Sequence, residues 1–333
     1  MASVPVAERK PSETGAALLT VLLLVAVIAV LAATALERLR IATRLGGNAV
    51  ALDQARAFAE AGEALAVDRI SDLLGREGTR VSLAGDWSDT PIPLPVTGGV
   101  ATLRITDGGN CFNLNGLVIK QSDGSYVANP AAAVRFATLI RLVGAPARSP
   151  EGIAAAATDW IDSDTQALSG GAEDGDYGGL ETPYRTANTL MADPSELRAV
   201  MGVTPEIYAA LRPWVCALPV AEPARINVNT VLPEQAPLLA VLMPGTPNVA
   251  AVRRALLGRP AAGYDDTAKF WHSSAFGAAG DIGDAPSTSA VTTRWFALRA
   301  DVRVNGTDLQ QNSLIDASTL PARLVSRQWG ELS

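Results

Sequence analysis

Histidine is nearly missing from this 333-residue chain. The single one, His272, stands in Lys269-Phe270-Trp271-His272-Ser273 with no nucleophile motif beside it. Most imidazole-based acid–base chemistry is thereby removed. Cysteine is almost as scarce: Cys111 and Cys216 are far apart and form no local ligand pair, so zinc is not expected. Positive charge is in deficit, 27 Lys and Arg against 34 Asp and Glu, for a formal net charge of −7. Phosphate binding needs a basic face, so nucleic acid is not an expected partner. The sequence also lacks a Gly-x-Ser-x-Gly elbow, a Gly-Lys-Ser/Thr phosphate loop and a His-Glu-x-x-His pair. A glycosidase-type carboxylate pair is the one catalytic arrangement its acids leave open. An enzyme is not expected.

What the chain does have is a long uncharged run, from Gly15 to Leu36. About 20 apolar residues suffice for an α-helix to cross the hydrocarbon core of a bilayer. A leader with Arg9 and Lys10 precedes the run, and Glu37-Arg38-Leu39-Arg40 follows it. The basic leader places the amino terminus in the cytoplasm, although Arg38 and Arg40 weaken the asymmetry. Two readings compete. A secretory signal peptide would be cut near Ala32-Ala33-Thr34-Ala35. Alternatively the anchor is retained, giving a single-pass inner-membrane protein with its carboxy-terminal body in the periplasm. The cysteines follow the topology: a disulfide in an exported domain, two buried thiols in a cytosolic one.

Beyond the run, Leu52, Ala55, Ala59, Ala66, Ile70 and Leu73 fall at helical spacing, with polar residues between. They predict an amphipathic continuation that ends near Leu74-Gly75. Gly46-Gly47 predicts a bend or a break before it, leaving open one bent rod or two helices. Residues 85–99 read as a loop, and Val100–Thr106 alternates as a half-covered strand. In Asn110–Asn115 the asparagines suggest local turn hydrogen bonds. Residues 130–256 read as mostly helical, with hairpin-like pairs around Gly202-Val203 and Pro244-Gly245; without clustered Lys and Arg these are packing units. Residues 273–289 read as a loop. Arg294–Val304, Asn305-Gly306 and Thr307–Ile315 form a hairpin pattern, and Ala322–Trp329 adds a strand.

The helical region holds one strongly acidic loop, with Asp159, Asp162 and Asp164, then Glu173, Asp174 and Asp176, and later Asn188. Crowded carboxylates repel unless a cation sits among them, and calcium accepts about six to eight oxygen ligands in flexible geometry. The spacing is not an EF-hand, so a calcium site and a solvated acidic loop both remain open from the residues alone.

Several motifs together resemble a known family. They are Thr14-Gly15-Ala16-Ala17-Leu18-Leu19-Thr20, Cys111-Phe112-Asn113-Leu114-Asn115, residues 159–164, Gly171-Ala172-Glu173-Asp174 with Tyr177, Pro183-Tyr184-Arg185 with Asn188, and Ile226-Asn227-Val228-Asn229-Thr230. In this order, over nearly the whole chain, they resemble the minor pseudopilin K of the type II secretion system. The resemblance implies an α+β pseudopilin fold, a long amino-terminal transmembrane helix on an antiparallel sheet, with a large inserted α-helical domain. The expected division is a prepilin leader at 1–15, a transmembrane helix at 16–36, its periplasmic continuation at 37–75, sheet at 76–128, inserted domain at 129–272 and sheet at 273–333.

The resemblance further implies cleavage by the prepilin peptidase between Gly15 and Ala16. It implies a place at the pseudopilus tip with minor pseudopilins I and J, and one or two calcium ions held by Asp162, Asp164, Glu173, Asp174 and Asn188, with Asp176 and the Tyr177 carbonyl as further candidates. It also suggests a Cys111–Cys216 disulfide joining the sheet to the inserted domain. Pilins generally have Glu at the fifth mature position, whereas this chain has Thr20. That departure fits a subunit with none above it. Outside this family, the alternative is a membrane-anchored calcium-dependent binding protein or an unfamiliar periplasmic hydrolase.

Overall fold

The computed structural model describes residues 13–77, 79–277 and 282–330; most of the expected leader, residues 1–12, lies outside the described residues. The first element, α1, is a single α-helix from Glu13 to Glu77. Its two halves differ in surroundings. Every residue from 15 to 50 is exposed, including the whole apolar run. From Ala51 onward one face is buried, through Ala51, Ala55, Ala59, Ala66 and Ile70, at the spacing that lines up on one side of a helix. Small side chains there let the helix lie close on its neighbour. At Gly62 an added Cβ would come within 2.6 Å of Leu103 Cδ2.

Of the two readings left open for this helix, one rod or two helices, the single rod holds, and its end lies two residues past the expected Leu74-Gly75. It runs unbroken through Gly46-Gly47, and it passes Leu74-Gly75 to end at Glu77. Neither Gly46, Gly47 nor Gly75 has a positive φ. A glycine costs a helix only about 1 kcal/mol, which the hydrogen-bonded turns on either side absorb.

After α1 come β1 (Ile92–Leu94) and β2 (Gly99–Asp107). The chain then leaves for a long excursion through β3 (Phe112–Asn113), β4 (Val118–Lys120), β5 (Tyr126–Ala128), α2 (Pro130–Leu142), α3 (Pro150–Asp159), α4 (Asp174–Tyr177), α5 (Pro205–Leu211), β6 (Val215–Cys216) and β7 (Ile226–Asn227). It continues through α6 (Ala236–Ala240), α7 (Val249–Leu257), α8 (Thr267–Trp271), α9 (Ala285–Thr288) and β8 (Ser289–Ala290), and returns in β9 (Trp295–Val304), β10 (Thr307–Asp316) and β11 (Arg323–Trp329). The main sheet has the order β1-β2-β9-β10-β11, antiparallel throughout. The β9–β10 turn is Asn305-Gly306, with φ of +49° and +80°, as the strand alternation and the Asn-Gly pair predict.

The insertion is larger than the sequence suggests. It leaves the sheet at Asp107 and rejoins it at Trp295, rather than spanning 129–272. Residues 118–128 fall inside the expected 76–128 sheet region, but among the described residues β4 and β5 pair only with each other, and Leu114, Leu117 and Val118 belong to the core of the insertion. There are therefore two cores. One lies between α1 and the sheet, around Leu103, Ile105, Phe296, Leu298, Val302 and Ile315; the other fills the insertion, around Phe136, Ile140, Ile161, Leu239, Phe270 and Trp271.

The asparagines at the root of the insertion make the expected local bonds, Asn115 N–H to Asn113 Oδ1 and Asn229 N–H to Asn227 Oδ1, and also act at long range. Asn113 donates to the carbonyls of Val220 and Glu222 and accepts from Leu218 N–H. Asn115 donates to Met191 and Leu218 carbonyls and accepts from Met191 N–H. Asn227 donates to the Val81 carbonyl and to Thr293 Oγ1, while its own N–H reaches Asn110 Oδ1. A carboxamide offers both a donor and an acceptor, so each one substitutes for a strand neighbour where no regular strand could fit. Asp107 closes the network, accepting from Thr230 and Thr293 hydroxyls at 2.5 Å each; burial raises its pKa against those bonds.

Candidate metal centre

The acidic loop folds around the carboxyl end of α3. That helix starts at Pro150 with Ser149 as its cap and is buried along Ile153–Asp159, because its alanines admit close packing. Asp159, its last residue, is fully buried. Its carboxylate accepts from Leu168 N–H at 3.1 Å and from Ala172 N–H at 2.8 Å, drawing the loop back onto the helix end. Gly171 is needed there, since a Cβ would overlap the Asp159 carboxylate. Burial is the main reason the Asp159 pKa is pushed up to about 6. Sequence reasoning placed Asp159 in the acidic loop without giving it a role; its only sequence signal is a lone acid closing an alanine-rich helix.

Just beyond, Asp162 is buried and Asp164 is exposed, and the loop brings Glu173 to face them. One carboxylate oxygen from each of these three lies within 4.8 Å of the others. Burial first, and then the charge of Asp164, pushes the Asp162 pKa up to about 7. Burial raises Glu173 as well, against its bonds from Asp174 N–H and the Thr186 hydroxyl. Of the five buried oxygens without a hydrogen-bond partner among the described residues, three lie here: Asp162 Oδ1, Glu173 Oε1 and Asn188 Oδ1. Asn188 adopts φ +47° and is held near the end of α3 by its N–H to the Trp160 carbonyl, 3.0 Å. Buried polar atoms are rarely left unpaired, and a cation would satisfy acceptors that no donor reaches.

The other expected ligands have different partners. Asp174 Oδ1 accepts from the Thr186 N–H and hydroxyl, both at 3.0 Å. Asp176 reaches back to the Glu173 N–H at 3.0 Å and completes the capping of α4. The Tyr177 carbonyl accepts from Leu180 N–H, 3.4 Å. The Tyr177 ring is buried against Trp160 and Tyr184, its hydroxyl accepts from Met201 N–H, and burial pushes its pKa up to about 12. The loop thus gathers an all-oxygen donor set in one cluster. Such a set suits a hard cation such as calcium, and the residues present fit one.

Far apart in sequence and separate in role from the acidic loop, Cys111 and Cys216 are joined by a disulfide, with Cα atoms 5.8 Å apart. Cys111 lies just past β2, and Cys216 ends β6, which pairs in parallel with β3. The bond therefore fastens the two ends of the first half of the insertion to each other. His272 is exposed, with Nδ1 2.8 Å from the Ala268 carbonyl.

A helix with one apolar exposed half and one half packed on an antiparallel sheet, interrupted by a large helical insertion, is the architecture of a pilin-like subunit. Comparison with known proteins makes the class specific. Models of the type II secretion system (T2SS) protein K family match residues 110–220 and 226–293. The chain is 34% identical to the type II secretion system protein K of Pectobacterium carotovorum subsp. carotovorum over 325 residues, 96% of this chain and 97% of that one. It is 36% identical to the protein K of Aeromonas hydrophila over 257 residues, 76% and 77% of the two chains. A chain in the crystal structure of the GspK-GspI-GspJ complex from the enterotoxigenic Escherichia coli type 2 secretion system superposes with a TM-score of 0.74 at 31% identity, covering 84% of this chain and 96% of that one. The chain belongs to the type II secretion system protein K family, the minor pseudopilins of that machine.

Proposed function

We propose that this protein caps the pseudopilus together with minor pseudopilins I and J and nucleates its assembly for export of folded proteins across the outer membrane. The solved relative was crystallised in a complex with I and J, and that observation carries the partner assignment. Residues 16–36 anchor the chain in the inner membrane, with the amino terminus cytoplasmic and the sheet and insertion periplasmic. The apolar run is long enough to cross a bilayer and is exposed along its whole length. Prepilin peptidase removes the leader after Gly15.

Calcium would be held by Asp162, Asp164, Glu173 and Asn188, with Asp174 and Asp176 shaping the loop around them. Its charge would neutralise the mutual repulsion of the carboxylates. Asp159 fixes the loop on α3, Asp176 caps α4, and Thr186 orients Glu173 and Asp174.

Thr20 is consistent with a terminal position. Its hydroxyl bonds the Ala17 carbonyl at 2.8 Å, so it is satisfied inside its own helix and offers no carboxylate to a neighbouring subunit's ammonium. Mass spectrometry of the mature protein from its native host tests the reading together with co-purification with I and J. A chain beginning at Ala16 that brings down both partners is expected; a chain beginning near Ala35, with neither partner, contradicts it.

A further inference from the structure

The acidic loop is tied to a part of the insertion that holds none of its expected ligands. Ser163 stands between two of those ligands, Asp162 and Asp164. Its N–H donates to the Tyr126 carbonyl at 2.9 Å, and its hydroxyl oxygen accepts from the Tyr126 N–H, also at 2.9 Å. Ser163 thus takes up the backbone groups that β5 turns away from β4, as a strand neighbour would.

The hairpin that Ser163 holds is slight. β4 and β5 are three residues each, joined by a turn in which Gly124 has φ of +90° and Asp123 accepts from the Ser125 N–H and hydroxyl. Its base is anchored, because Val118 lies in the insertion core and the Asn129 N–H bonds the Leu117 carbonyl at 2.8 Å. Its outer part is not: Ile119 and Val127 pair across the strands and are 45% and 37% exposed. A two-stranded hairpin is marginal by itself in water, so the order of this one depends on what lies along its edge.

The position of Ser163 depends in turn on charge. Oxygens of Asp162, Asp164 and Glu173 lie within 4.8 Å of one another and repel when all three groups are ionised. Asp162 is 2% exposed and cannot turn away, whereas Asp164 is exposed and free to swing outward, drawing Ser163 off β5. A cation among the three would hold the carboxylates on both sides of Ser163 and so fix it. We infer that the ion site governs the β4–β5 hairpin through Ser163: occupancy by calcium orders residues 119–127 and sets the Ile119–Val127 pair in place, and removal of calcium frees them. This is an order–disorder switch of a short segment, driven by local charge. It rests on the calcium reading above.

The test is hydrogen exchange of the full chain in detergent at pH 8, with chelator and with millimolar calcium, beside melting curves of the same samples. In the unaltered protein calcium is expected to raise the melting point and to slow the amides of residues 119–127 about tenfold. Ser163→Ala keeps every carboxylate but removes the hydroxyl that receives the Tyr126 N–H. It is expected to keep the melting rise while the slowing shrinks to about threefold or less. A melting rise without slower hairpin exchange in the unaltered protein, or equal slowing in Ser163→Ala, overturns the inference and leaves the calcium reading standing. A Ser163→Ala protein with no melting rise places Ser163 inside the ion site instead of at its link to the hairpin, and overturns the inference as well. Absence of a melting rise in the unaltered protein removes the calcium reading and this inference with it.

Discussion

Asp162 combines three properties: it is buried, it lies beside other carboxylates, and one of its oxygens lacks a donor. Without a cation, the folded-state pKa of about 7 lies above that of an unfolded aspartate, so the folded state holds the extra proton between the two values. Stability of the calcium-free protein therefore falls as pH rises from about 4 to about 7. Calcium needs the deprotonated form, so its stabilising increment grows through the same interval. Melting curves at pH 5 and pH 8, with chelator and with millimolar calcium, should show a calcium-induced rise that is small at the lower pH and several degrees at the higher. Asp162→Asn should raise the melting point of the chelated protein at pH 8, since repulsion is relieved, and abolish the calcium response. An Asn variant that still responds fully would remove Asp162 from the ligand set.

At this scale the sequence was legible in part. Asp162, Asp164 and Glu173 stand out as crowded acids, but nothing in their spacing separates a ligand from Asp176, whose carboxylate caps α4. The orphaned oxygen of Asn188 and the loop-anchoring bonds of Asp159 exist only once residues from α3 and the later loop meet. Such meetings are decided by packing, not by local pattern.

Among the elements, α1 is tied to both β10 and β11 through Glu63. Glu63 accepts from Gln311 Nε2 at 2.7 Å and Ser313 Oγ at 3.0 Å, besides Arg327. Arg327 is 29% exposed and keeps Glu60, but the buried Gln311 and Ser313 side chains lose their acceptor, so Glu63→Ala should cost about 1–3 kcal/mol in denaturant unfolding. A change below about 1 kcal/mol would mean that solvent replaces the contact. Gly62→Leu should also destabilise, because a side chain there meets Leu103, whereas Gly46→Ala, with open space around it, should be neutral or slightly stabilising. Alternation and the Asn305-Gly306 pair made β2, β9 and β10 readable to within a residue or two, since strand period and turn chemistry are local. Continuity of α1 was not readable. Propensity marks Gly46-Gly47 as weak, but cooperativity over the flanking turns is not a property of that pair.

For the molecule as a whole, the insertion is secured by one covalent bond and several asparagines. The disulfide spans 105 residues, and breaking it should release a loop of that length in the unfolded state. The paired Cys111→Ser, Cys216→Ser variant is expected to lose about 2–5 kcal/mol of stability. Equal melting of the oxidised protein and the variant would contradict this. The presence of a sheet interrupted by helices could be read from the sequence, but the points of departure and return could not. Residues 112–128 fall within the expected sheet region and hold the short strands β3, β4 and β5, yet they serve the insertion. Only the long-range amide bonds of Asn113, Asn115 and Asn227 reveal to which body they belong.

The uninterrupted α1 has a mechanical corollary. At about 1.5 Å of rise per residue, its 65 residues form a shaft close to 100 Å long with no swivel between the greasy end and the end seated on the strands. Axial thrust applied at the lipid would arrive at the head undiminished, as through the rod of a piston, and a torque would turn both ends together.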